Sequence, residues 1–150
     1  MKILSIIAQK PNSTGSGVYL TELINCFKNM GHINEVICAC YENDFIKDEE
    51  NIHFNNIIFN TKDIPIKIVG MSDAMPYETN KYSDFIFNHK NLEIWINVFV
   101  NKIIDVILRF NPDIIICHHL YLLTAIVIYI FDILNNKYRP KIYGICHNTD

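Results

Sequence analysis

The sequence has no excess of basic charge, no Cys-x-x-Cys pair and no apolar run long enough to cross a bilayer. Lys and Arg number 13 against 16 Asp and Glu, so the formal charge is −3 with His neutral. That balance, with a pI near 6.0, argues against a general nucleic-acid binder, whose footprint is a basic patch and a high pI. Cysteine occurs five times, at Cys26, Cys38, Cys40, Cys117 and Cys146. An odd count without Cys-x-x-Cys reads as buried apolar thiols in a reducing compartment rather than a disulfide framework. The longest apolar run, Leu120 to Phe131, is interrupted by Thr124. It falls short of the about 18 residues that a spanning helix needs. The stretch from Met1 to Ala8 is shorter than a secretory apolar region and has no cleavage pattern. A cytoplasmic protein is therefore expected. No internal repeat, low-complexity tract or linker interrupts the chain.

What is present is apolar and ordered by pattern. Half of the 150 residues are hydrophobic and 19% are charged, which excludes a disordered chain. One domain is the natural count at this length, and such a domain buries roughly 68–70% of its unfolded-chain surface. Lys2 to Ala8 is a short apolar run closed by a Pro/Asn/Ser/Gly cluster, as expected of a buried strand and its loop. From Val18 the period changes, and Leu20, Leu23, Ile24 and Phe27 share one helix face up to Gly31. Glu35 to Tyr41 is a second strand. His53 to Asn60 and Ile64 to Val69 read as further strands, and Ser72 to Ser83 as a loop.

Asn91 to Phe110 carries the clearest helical period, through Leu92, Trp95, Ile96, Phe99, Ile103, Val106, Ile107 and Phe110. Asn111-Pro112 ends it, because the residue before proline is pushed out of the α region. Asp113 to Cys117 is a strand with no polar alternation, as when both faces are covered. Leu120 to Leu134 is apolar nearly all round and predicts a buried helix. Asn135 to Pro140 reads as a turn and Ile142 to Cys146 as the last strand. Strands alternating with helices predict a parallel α/β, doubly wound sheet, with the strands near Lys2, Glu35, Asp113 and Ile142 adjacent in its middle.

In such sheets a ligand lies outside the carboxyl ends of the strands. The first strand is followed by Gln9 to Gly17 and then a helix. Gly15 and Gly17 there either let backbone N–H groups approach an anion or serve a plain strand–helix turn. The Walker pattern is absent because no Lys follows the glycines, and the dinucleotide fingerprint fails because Leu20 occupies its third glycine position. Glu42, just past the second strand, stands where a ribose-binding acid would. His118 and His119 follow one strand and His147 follows another. They are either packed residues or functional groups at the ligand edge. Cys117 and His118 point to opposite faces of one strand, which disfavours a shared zinc ion. The acidic run Asp44, Asp48, Glu49 and Glu50 reads as a solvated loop, and Cys38 and Cys40 as core.

Four stretches, in order, resemble the N-terminal domain of the group 1 (family 4) retaining glycosyltransferases of the GT-B fold. They are MKILSIIAQKPNSTGSGVYLTELINCFKNMGH, GMSDAMPYE, PDIIICHHLYLLT and YGICHNTD. The resemblance implies a Rossmann-like acceptor-side domain over residues 1–150, with the nucleotide-sugar-binding domain absent from this chain. It implies retaining transfer from a nucleotide-sugar donor to a glycan, lipid or other acceptor, in a cleft between two domains and without a cofactor or bound metal. Gly15 and Gly17 match the loop facing the donor diphosphate, His118 and His119 the cleft-facing acceptor side, and His147 the reaction-centre histidine. At His147-Asn148-Thr149-Asp150 an Asn stands where the family commonly has Gly. By itself the chain is expected to fold without transferring sugar and to self-associate through its uncovered interdomain face. The Met75 to Tyr82 loop is compatible with peripheral membrane contact or with a plain surface. The alternative is a stand-alone Rossmann-like nucleotide- or protein-binding domain without catalysis.

Overall fold

The computed structural model describes residues 1–69, 79, 88–134 and 139–147. The Ser72 to Ser83 loop and the GMSDAMPYE stretch fall outside these residues, residue 79 excepted, as do 135–138 and 148–150. Strands β1 (Lys2–Ile6), β2 (Ile33–Cys40), β3 (Ile52–Ile58), β4 (Ile114–Cys117) and β5 (Lys141–Gly144) form one sheet. Its order is β3-β2-β1-β4-β5 and every pairing is parallel. Helices α1 (Gly15–Asn29), α2 (His89–Phe110) and α3 (Ala125–Leu134) flank it. This is a Rossmann-like α/β fold. The expected neighbours β2, β1, β4 and β5 do adjoin, although β5 takes an edge and not a middle position.

The period of two along each strand sorts side chains onto the two faces. Leu4, Ile6, Ile37, Ala39, Ile115 and Cys117 point into a core closed by α2 and α3. The largest side chains of that core are aromatic: Trp95 and Phe99 of α2 pack with ring centroids 4.4 Å apart, and Phe59 lies beside Phe99. Ile7, Val36 and Cys38 point the other way, into a smaller core with Leu20 and Ile24 of α1. Strands covered on both sides have no use for polar alternation, which explains the unbroken apolar runs.

Helix ends follow local chemistry. Thr14 caps α1, its hydroxyl accepting from the Gly17 N–H at 3.2 Å. Asn88 caps α2 through its side-chain oxygen and the Asn91 N–H. At the other end Asn111 adopts φ +51° and donates its N–H to Ile107, turning the chain sharply into β4. Asparagine tolerates this left-handed conformation, and Pro112 forbids continuation.

Two expectations change. Ile64 to Val69 is not a strand. Pro65 has no N–H to give a ladder, and the segment turns back on itself through Asn60 N–H to Ile66 and Thr61 N–H to Ile64. Ile66, Ile68 and Val69 are nonetheless buried, packed over the α2-side core as an irregular cover. The Leu120 to Leu134 segment is divided as well. A π-helical turn occupies Leu120–Thr124 before α3, and Ile128, Tyr129 and Ile133 face outward. Its apolarity all round therefore does not mean burial all round. Among the described residues no helix is long and apolar enough to cross a membrane.

The helix α2 is tied to the sheet by one polar network. Arg109 donates two hydrogen bonds of 2.7 Å to the two carboxylate oxygens of Glu35, a third at 3.1 Å to Asn55, and Asn55 donates to Glu35 at 2.9 Å. Glu35 is only 5% exposed, so its charge depends on this fork. Arg109→Met strands a buried carboxylate and is expected to cost about 2–3 kcal/mol in urea unfolding. The Glu35→Gln/Arg109→Met double variant should recover part of that loss. A change in Arg109→Met below about 0.5 kcal/mol, the range of ordinary surface substitutions, would show that the fork carries no weight.

Candidate functional site

The strand order reverses at β1: the chain builds outward through β2 and β3, then returns to place β4 on the other side. In open parallel sheets the crevice at such a switch point is where ligands bind. The loop after β1 and the residues after β4 and β5 meet there. The β1–β4 ladder runs one step further through His118 N–H to Ile6, and the β4–β5 ladder through Ile145 N–H to Cys117. These extensions fix the backbone that carries the histidines.

Alternation sends Cys117 into the α2-side core and His118 to the α1 side. There the His118 ring stacks on His147 with centroids 5.9 Å apart and planes 15° from parallel. His119 lies 5.2 Å from His147 by the same measure. Tyr19, two residues beyond Gly17 on α1, stands edge-on to His118 at 6.0 Å and to His147 at 5.9 Å. The three sequence-selected histidines are thus brought together, and Tyr19 joins them to the first turn of α1. Tyr19 was not legible as a site residue. It sits off the apolar stripe of α1 and is half exposed, so only the fold reveals its position.

His118 and His119 are both buried, whereas His147 is partly exposed and forms the open side of the cluster. Neither ring nitrogen of His118 has a hydrogen-bond partner among the described residues. Burial, reinforced by the neighbouring His147 and His119, pushes the His118 imidazole down to about 3, so the ring is neutral at pH 7. Among the described residues no group of three His, Cys, Asp or Glu is arranged to hold a metal ion.

The loop after β1 is organised by a buried residue that sequence reasoning passed over. The Gln9 side chain is 2% exposed, and its carbonyl oxygen accepts from Thr14 Oγ1 and Ser16 Oγ, both at 3.1 Å. The two glycines differ in what they face. A Cβ on Gly17 would lie 2.6 Å from the Lys10 carbonyl oxygen and 3.0 Å from the Asn12 nitrogen, so glycine there is required by the close packing of residues 10–12 on the helix. Gly15 is exposed, with open space where a side chain would project.

The cysteines divide. Cys38, Cys40 and Cys117 are buried, and desolvation raises all three thiols, Cys40 to about 11 and Cys117 to about 12. Cys26 and Cys146 are exposed, contrary to the expectation that the thiols are buried. Cys26 lies on the outer side of α1, and Cys146 follows the edge strand β5. Glu42, Asp44, Asp48, Glu49 and Glu50 are exposed, as a solvated loop requires. Asp44 nonetheless pairs with Lys10 and Glu49 with Lys28. The Asp48 carboxyl is held below its usual range, chiefly by the Phe54 N–H and also by His53. No protein-family model matches the chain, and no curated protein matches it significantly.

Two predictions follow from the geometry. Between about pH 3 and 6.5 the unfolded chain protonates the His118 side chain and the folded chain does not, so stability rises with pH across that window. His118→Gln should remove about 2 kcal/mol of the gain between pH 5 and pH 7, read by urea unfolding at both values. An identical pH dependence in the two proteins would contradict a buried, neutral His118. Gly17→Ala should cost about 1–3 kcal/mol through overpacking, whereas Gly15→Ala should be close to neutral in thermal unfolding. Equal effects at the two positions would refute the division of roles.

Proposed function

We propose that the chain is the acceptor-side domain of a retaining, two-domain glycosyltransferase of the GT-B kind. In this reading it acts in the cytoplasm, and a separate nucleotide-sugar-binding domain closes over the carboxyl edge of the sheet. The observation that carries the reading is the meeting of His118, His119 and His147 beside the first turn of α1, at the switch point of a parallel sheet. Those residues lie in three of the four stretches that carry the resemblance to group 1 glycosyltransferases.

The roles are those the resemblance implies. His147, on the open side of the cluster, is the reaction-centre histidine. A ring N–H there stabilises charge that develops as the nucleotide diphosphate departs. His118 and His119 form the acceptor-side wall, and the neutral His118 adds no competing charge. Gly15 leaves the N-terminus of α1 open, so backbone N–H groups and the positive end of the helix dipole face the donor phosphates. Closure of the second domain excludes water and orients donor against acceptor.

The test joins this chain to its donor-binding domain and follows nucleotide release from a panel of nucleotide sugars. His147→Ala is expected to lower turnover roughly 10²–10³-fold with an unchanged unfolding midpoint. The chain without that domain should fold and release no nucleotide. Undiminished turnover in folded His147→Ala would refute the assignment of His147. Saturable turnover by the chain alone would refute the two-domain reading.

A further inference from the structure

A concavity opens on the same carboxyl edge, on the β2–β3 side of β1, away from the histidines. Its volume is about 480 Å³, within the range of small-molecule sites. It is made by the loop after β1, the short 3₁₀ turn Glu42–Asp44 after β2, and the residues that leave β3. Its polar lining is Lys10, Glu42, Asn43, Asp44, Asn60 and Lys67.

The charge of that lining decides what fits. Lys10 Nζ lies 2.6 Å from Asp44 Oδ2, so these two groups neutralise one another. Lys67 and Glu42 are likewise of opposite sign. An anion in the cavity would face two carboxylates, and a cation would face two ammonium groups. Asn43 and Asn60 add amide donors and acceptors without charge. A neutral molecule carrying many hydroxyls meets both the donors and the acceptors and leaves none of the charges uncompensated.

The walls supply the apolar complement. Tyr41 is half-buried at the wall and is fixed because its hydroxyl accepts from the Ile68 N–H at 3.1 Å. A pyranose has C–H faces above and below a ring of hydroxyls, which is the shape such a lining recognises. Asn60 is held at φ +60° with its N–H bonded to Ile66, so its side chain is presented from a fixed backbone.

We infer that this cavity is a binding site for an uncharged saccharide. It lies apart from the acceptor-side wall of His118 and His119, and it stands without the proposed function.

The experiment titrates the ¹⁵N-labelled chain with glucose, galactose, N-acetylglucosamine and maltose, and with inorganic phosphate and glucose 6-phosphate as charged comparisons. At least one uncharged sugar should give saturable shifts in the side-chain amides of Asn43 and Asn60 and the backbone of residues 41–44. Glucose 6-phosphate should bind no more tightly than glucose. The double variant Glu42→Ala/Asn43→Ala alters two exposed side chains, and it should weaken sugar binding at least tenfold while leaving the unfolding midpoint unchanged. The inference is overturned by an absence of saturable shifts with every sugar, by tighter binding of phosphate or glucose 6-phosphate, or by undiminished binding in the double variant. Saccharide binding by the chain, with no turnover when it is joined to a donor-binding domain, supports the site and counts against the transferase reading alone.

Discussion

A parallel strand pair cannot be joined by a tight turn, so β1, paired in parallel with β2 on one side and β4 on the other, dictates most of what surrounds it. The chain must cross back over the sheet after every strand. Each crossover returns it to the same starting edge, and every strand therefore ends on the opposite edge. The outward run to β3 and the return to β4 place the reversal of order beside the end of β1. The loop of residues 9–17, the histidine pair after β4 and His147 after β5 have no choice but to share that edge.

This is also why the general plan could be read from the residues. The change from short apolar runs to a 3.6-residue period marks the elements, and the lack of polar alternation in KILSIIA and DIIIC indicates strands covered on both faces. Once the sheet is parallel, each residue following a strand belongs to the ligand edge, and His118, His119 and His147 could be selected on that ground. Contacts set by tertiary packing were not legible. Tyr19 reaches the histidines only because α1 lies against the β1–β4 junction, and Glu35 finds Arg109 across 74 residues of chain. The segment Ile64 to Val69 has the composition of a strand. Its residues serve the core without a ladder because Pro65 and the turn from Asn60 take the chain out of the sheet plane. The helix after the π-helical turn is apolar on its outer side too, a pattern that hides which face is buried.

The two sides of the carboxyl edge differ in chemistry. On the β4–β5 side the lining is aromatic and imidazole-rich, and its buried His118 is kept neutral by desolvation. On the β2–β3 side the lining is charged but balanced, with Lys10 held against Asp44. The loop after β1 separates them, with Lys10 lining the β2–β3 cavity and the Thr14-capped α1 bringing Tyr19 to the histidines. Gln9, buried beneath that loop, holds its hydroxyl groups in place.

The convergence of the strand ends is the claim on which the function depends. It is tested most directly by aromatic nuclear Overhauser spectroscopy of the ¹³C-labelled chain. The Tyr19 ring protons should show cross-peaks to the rings of both His118 and His147, with a further contact between His147 and His119. Cross-peaks from Tyr19 to neither histidine would mean that α1 and the ends of β4 and β5 do not share an edge, and the catalytic assignment of His147 would fall with them.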